Sequence, residues 1–407
     1  MNIKLLLSIT LIASGFTSLA QNADKTFAIT GDGNGGFNWM NIRQVDIHSG
    51  KIVQDVYQRE KTAFVLLDAD SKSQVKSQGP TETMVAAAAY DKNQNKLFFT
   101  PMRIGELRWL DLNAKGEEQK FYTLKSNVLN SSEALTDEAK NFTRMVIGAD
   151  GNGYALSNDA NRLVKFTTGK KVTITDLGNV IDDESNKTVS IHNKCTSWGG
   201  DMIADAFNKL YIISANHYVF SLDLETRVAK NIGIITDLPA NYSTNGAAVD
   251  KDGAIVVCSA NTFTGYYKFS LTDFAAKKIE GSDVVYNASD LANGNLLLQK
   301  EADAAKNLGA AGFKPVIPVI TNEAHIYPNP VTANTFKISF DNQQPGTYHI
   351  TITDLSGKSI MNRVITVNAK TQIETVPLNR DFAKGMYMVK VTDANNKFIF
   401  TERIVVQ

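Results

Sequence analysis

Cysteine is nearly absent: Cys195 and Cys258 are the only two in 407 residues. A disulfide scaffold is thereby excluded as the source of stability in a chain this long. One bridge between them stays open for an exported protein, beside the plainer reading in which Cys258, at the end of the apolar run 255–258, is a buried free thiol. An excess of charge of either sign is missing too, with Lys+Arg and Asp+Glu both 42. Such balance provides no field to attract nucleic acid or anionic lipid, and no basic stripe supplies one locally. After residue 20 no segment approaches the ~20 apolar residues of a spanning helix, so no transmembrane segment is expected. Histidines number 5, and His48, His192 and His217 share no metal-type spacing, so no metal centre and no cofactor is expected.

What is present begins with an export signal. Lys4 supplies a positive charge, residues 5–20 an apolar run and Ser18-Leu19-Ala20 a small-residue cleavage site. Residues 1–20 therefore read as a signal peptide, with the mature chain starting near Gln21.

Between residues 21 and 313 one pattern recurs. Its clearest copies, 202–224 and 247–271, run apolar strand ending in Asp, tight turn, apolar strand ending in Ser-Ala-Asn, loop and third strand. Related copies lie at 145–174 and 86–112, and fragments at 27–53 and 288–299 bracket the series. Counting the polar ends of the second strands, Thr30, Thr100, Ser157, Ser214, Ser259 and Gln299, makes six units. Four-stranded units at such a period are the signature of a β-propeller, in which blades bury their faces against one another. Ala86-Ala87-Ala88-Ala89, Gly199-Gly200 and Gly246-Ala247-Ala248 suit innermost strands crowded round a narrow channel. Asp150-Gly151-Asn152-Gly153, Lys251-Asp252-Gly253 and Ala292-Asn293-Gly294 suit hairpin turns. A large β-sandwich is the competing reading. Insertions at 58–83 and 127–141, the second read as a short helix, lengthen loops of the kind that carry binding residues.

Catalytic constellations are missing from this region, and no catalytic residue is assigned. There is no Gly-x-Ser-x-Gly elbow, and Gly31-Asp32-Gly33-Asn34-Gly35-Gly36 lacks the Lys and the following helix of a phosphate loop. Asp68-Ala69-Asp70 begins like a calcium loop but continues with Lys72 where an oxygen ligand belongs. One group is a candidate ligand site: His192, Asn193, Lys194, Trp198 and Asp201, where an indole flanked by polar groups can stack on a sugar or other flat ligand, unless Trp198 simply packs between blades. A glycan or protein ligand fits that reading. The alternative is a propeller lyase, lactonase or glycosidase using channel-facing carboxylates, with Glu82, Asp201 and Asp205 as candidates, although strand-end Asp residues recur for turn reasons.

The last eighty residues alternate apolar and polar positions, as half-buried strands do. Strands are expected at 335–340, 348–354, 359–367, 371–377, 385–393, 397–400 and 402–406, which makes an immunoglobulin-like sandwich. Tyr327-Pro328-Asn329-Pro330, Asp354-Leu355-Ser356-Gly357-Lys358, the segment with Gly385, Tyr387 and Val389, and the terminal Ile404-Val405-Val406-Gln407 resemble the type A C-terminal sorting domain of the Bacteroidetes type IX (Por) secretion system. The resemblance implies passage through the periplasm to the outer-membrane surface or the medium, with the type IX translocon and a sorting peptidase as partners. Those motif residues are then sorting elements, Gly385 permitting close backbone approach and the last strand offering an edge. The expectation is thus an all-β chain: a six-bladed β-propeller-like domain at 21–313, a linker at 314–325 and a sandwich at 326–407.

Overall fold

The computed structural model describes residues 25–307 without 34–36, 130–136 and 282–285, and residues 325–406 without 328, 332–333, 342–343, 355–357, 369–370, 379–381 and 396–397. The expected signal peptide lies outside the described residues, as do residues 314–324 of the expected linker, Pro328, Gly357 and Gln407; His325, placed in the linker, begins a strand. The chain divides into two compact units, Met1–Ala304 and Ala305–Gln407.

Unit 1 is an all-β ring. Each blade starts at the axis with a strand of small and apolar residues: Ala288–Asn293, Val85–Asp91, Phe142–Ile147, Asp201–Ala204 and Gly246–Val249. These five pack side by side, each against the next and the last against the first. Antiparallel neighbours then extend each sheet outward. In blade 3, for example, Phe142–Ile147 is followed by Gly153–Ser157, Leu163–Phe166 and Ile174–Gly178. Blades 2 and 4 gain a fifth, parallel strand at the rim. In blade 2 it is Phe64–Asp68, the apolar run of the first insertion, paired with Gln119–Lys125; in blade 4 it is Ile181–Asp182. Of the second insertion, the 3₁₀ turn Glu138–Lys140 is described.

The propeller architecture is as the repeat predicted, but the blade count is five and not six among the described residues. The two bracketing fragments form one blade. Ala288–Asn293 pairs with Thr26–Thr30, which pairs with Asn41–Val45, and Ile52–Tyr57 closes the outer edge. Counting both fragments by their second strand therefore counted one blade twice. Residues 295–298 do not form the second strand of a sixth blade. Leu297 bridges to Asp205, and the helix Gln299–Asn307 follows.

Crowding at the axis explains the small residues. A Cβ added to Gly246 would lie 2.7 Å from Cys258 Sγ and from Leu291 N of the neighbouring inner strand. Both cysteines are free, Cys258 buried and Cys195 exposed, which decides between the two readings left open by the sequence.

Unit 2 is a two-sheet sandwich. One sheet orders His325–Tyr327, Thr335–Asp341 and Thr371–Pro377; the other orders Ser359–Val367, Gly346–Asp354, Gly385–Asp393 and Phe398–Val406. The expected strands 397–400 and 402–406 are one continuous strand. Inward alternation builds the core from Phe336, Ile338, Phe340, Ile350, Ile352, Val389, Val391 and Ile404.

Candidate functional site

Near their starts, three inner strands carry a charged residue. Arg144, in the strand Phe142–Ile147, is fully buried and donates to the carbonyls of Gly199, Ser157 and Asn158 at 2.9, 3.1 and 3.4 Å, and to that of Ser197. Burial lowers its pKa to about 10, against the favourable charges of Asp159 and Asp201. Asp201 heads the next inner strand and is 1% exposed. It accepts the amides of Met202 and Ala247, both at 2.7 Å, and Arg144 lends it further support. Asp290, on the strand that closes the ring, is 0% exposed. Its carboxyl faces that of Asp201 at hydrogen-bond range, with the Ala88 amide as a further donor beside it.

Burial pushes both acids well above the usual carboxylate range, and for Asp290 the neighbouring Asp201 charge adds to it. Asp201 has the larger set of amide donors and the Arg144 guanidinium, so it is the member suited to carry the charge, and Asp290 the member suited to hold the proton. Cys258 is beside them, its thiol also pushed up by burial and by the two acids.

Below this layer the axis is closed. A void of about 10 Å³, lined by residues of all five inner strands, is at the threshold of room for one water molecule. The acids at the inner-strand ends are engaged in turns. Asp205 Oδ1 accepts the amides of Phe207 and Lys209 (2.8 and 2.9 Å), Asp250 Oδ1 those of Asp252 and Ala254 (2.8 and 2.9 Å), and Asp91 Oδ1 those of Asn93 and Gln94 (2.8 and 3.1 Å). Glu82 and Glu106 hold Arg108 at 2.9 and 2.8 Å.

Four of the five residues singled out in the sequence lie together, and they are largely occupied. His192 points its two ring nitrogens at the carbonyls of Asp159 and Val180 (2.7 and 3.1 Å), and Trp198 Nε1 donates to His192 O at 3.0 Å. Asn193 caps the short helix Lys194–Ser197 by accepting the amide of Cys195. Lys194 lies 5.0 Å from the Trp198 ring centre and pairs with Glu138 at 3.3 Å. Asp201 is separate from them, in the axial layer. Among the described residues no group of three or more His, Cys, Asp or Glu is placed to hold a metal ion, and no helix is long and apolar enough to cross a membrane.

Sequence reasoning missed Asp290 and Arg144. The available signal was a charge inside an otherwise apolar inner strand; which charges meet depends on ring closure.

In unit 2 the Tyr-Pro-Asn-Pro segment grips the last strand. Asn329 Nδ2 donates to Arg403 O at 2.7 Å, its Oδ1 accepts the Val405 amide at 3.0 Å, and Val331 N donates to Val405 O at 2.7 Å. Tyr327 is exposed. Asp354 closes its hairpin on Lys358 through both backbone and side chain, each at 3.0 Å. Tyr387 donates to Ala383 O at 2.8 Å, and Val389, Ile404 and Val406 are buried. A Cβ on Gly385 would meet no atom within 4 Å, so close approach is not what the position requires; its φ of +157° is.

Residues 325–407 match the model of the secretion system C-terminal sorting domain, Por_Secre_tail. No curated protein matches the chain. Among solved structures, PorZ, a surface component of the type IX secretion system of Porphyromonas gingivalis, is similar at 15% identity and TM-score 0.32, covering 94% of this chain and 51% of that one. The chain thus spans about half the length of PorZ. A catalytically inactive virginiamycin B lyase from Staphylococcus aureus is similar at 11% identity and TM-score 0.34, covering 95% and 97%. Likeness of that degree leaves function undetermined.

Proposed function

We propose, for a chain that carries a type IX secretion sorting domain at residues 325–407 and is cargo bound for the cell surface or the medium, that the propeller is a binding module and not a catalyst. The closed axis carries the reading. A propeller enzyme that works with channel carboxylates must bring substrate within hydrogen-bond reach of them. Here the axial void is about 10 Å³, and Asp201 and Asp290 are 1% and 0% exposed.

One observation favours the enzyme reading: two acids in contact with raised proton affinity are the usual makings of an acid–base pair. Access is what that reading lacks. Glycan-array and pull-down screening of the secreted protein, run beside lyase, lactonase and glycosidase assays, tests the two together. Saturable binding without turnover is expected. Turnover that disappears in Asp201→Asn, with the melting temperature retained, overturns the binding reading.

A further inference from the structure

We propose that the face of the propeller where the inner strands end binds a hydroxylated carboxylate of monosaccharide size, at a site centred on Lys92. The inference deepens the binding-module reading and rests on it.

After the closing strand Ala288–Asn293, the chain crosses this face as a strap. Leu297 N donates to Ala204 O at 3.0 Å and Ala206 N to Leu297 O at 2.8 Å, which ties the strap to blade 4 before the helix Gln299–Asn307 begins. Two cavities flank it. One, of about 200 Å³, is bounded by the turns of blades 2 and 3; the other, of about 270 Å³, lies against the turn of blade 5. Lys92, Leu296 and Gln299 line both, so the two meet at Lys92. Each alone has room for a single sugar ring, and together they approach the size of a small-ligand pocket.

Lys92 is half-buried, its stem laid against Gly294, where an added Cβ would come within 2.7 Å of two of its carbons. Among the described residues its ammonium makes no ion pair or hydrogen bond. Burial lowers its pKa, opposed at longer range by Asp303 and Asp91. Four of the acids near it are already engaged, and a fifth, Glu301, is exposed at the rim of the larger cavity. Asp91 and Asp250 accept their own turn amides, Asp252 pairs with Lys300 at 3.4 Å, and Asp303 accepts Gln299 Nε2 at 2.9 Å. Lys251 and Glu301, which also line the larger cavity without a partner among the described residues, are exposed at its rim, so the half-buried uncommitted charge where the two cavities meet is cationic. A ligand carboxylate would complete it with a charge-assisted hydrogen bond, while the amides of Asn93, Asn295 and Gln299 can meet hydroxyls and Leu296 an apolar ring face.

Calorimetric titration of the full secreted protein with glucuronate, glucose and acetate, at low ionic strength, tests this. Glucuronate is expected to bind and the other two not. Lys92→Gln should weaken glucuronate by about tenfold or more, the equivalent of about 1.4 kcal/mol, with the melting temperature unchanged, whereas Lys251→Gln at the rim should have little effect. Absence of glucuronate binding, equal binding of glucose or acetate, or indifference to Lys92→Gln overturns the site. A ligand found elsewhere on the propeller while glucuronate stays silent removes the site and leaves the binding-module reading. Consumption of glucuronate in the cell does the reverse.

Discussion

At the scale of single residues, the acidic pair at the axis ties proton binding to stability. Asp201 and Asp290 have folded-state pKa values raised above those of the unfolded chain. Stability from such groups is fully present below the ordinary carboxylate value near 4 and is lost as pH rises through the raised folded values. Asp290→Asn keeps the shape and removes one ionisation. Its melting temperature relative to the parent protein is expected to rise as pH climbs above about 4, every tenfold difference in proton affinity so removed being worth about 1.4 kcal/mol. A difference that stays constant over that range in thermal scans would mean the pair is not linked to folding. Asp201 was legible beforehand as a charge at the head of an inner strand. Its partner was not, because the contact forms only when the last strand of the ring returns beside the first blade.

At the scale of elements, closure rests on one short strand. Thr26–Thr30 has Ala288–Asn293 as its axial neighbour, and without it blade 1 would expose a strand edge and the ring would have a gap. A chain ended at residue 281 should therefore lose cooperative unfolding throughout the propeller, followed by denaturant titration. A sharp transition at the original midpoint would show that closure contributes little. The last strand of the sandwich depends on a single side chain in a similar way. Asn329 replaces a missing neighbour strand by giving and taking one hydrogen bond each along Phe398–Val406. Asn329→Ala should cost the sandwich about 1 kcal/mol and speed amide exchange at Val405, measured by NMR. Unchanged exchange would place the restraint elsewhere. The alternation of the tail made nearly all its strands readable, since a period of two sorts residues between core and solvent. It did not reveal the role of Asn329, which acts across the sandwich on a strand more than seventy residues on.

At the scale of the whole molecule, the sorting domain and the propeller are separate units. Ile404 and Val406 are buried in the sandwich, so the end of the chain is part of the sorting domain's core as well as its edge. Deleting residues 402–407 is expected to leave the protein in the periplasm, detected by fractionation and immunoblotting. Normal levels outside the cell would reject the role of that strand in sorting. The propeller's closed axis moves the search for ligands outward, to the turns and the strap that crosses them.

Sequence alone determined that the chain is all-β, that it joins a repeating ring to a sorting domain, and that the inner strands must be small. Periodicity, turn chemistry and local motifs are properties of neighbouring residues, so they are written along the chain. The number of blades, the meeting of Asp201 with Asp290 and the isolation of Lys92 beneath the strap were decided by the tertiary structure. Each depends on residues from distant parts of the chain, brought together only when Ala288–Asn293 closes the ring.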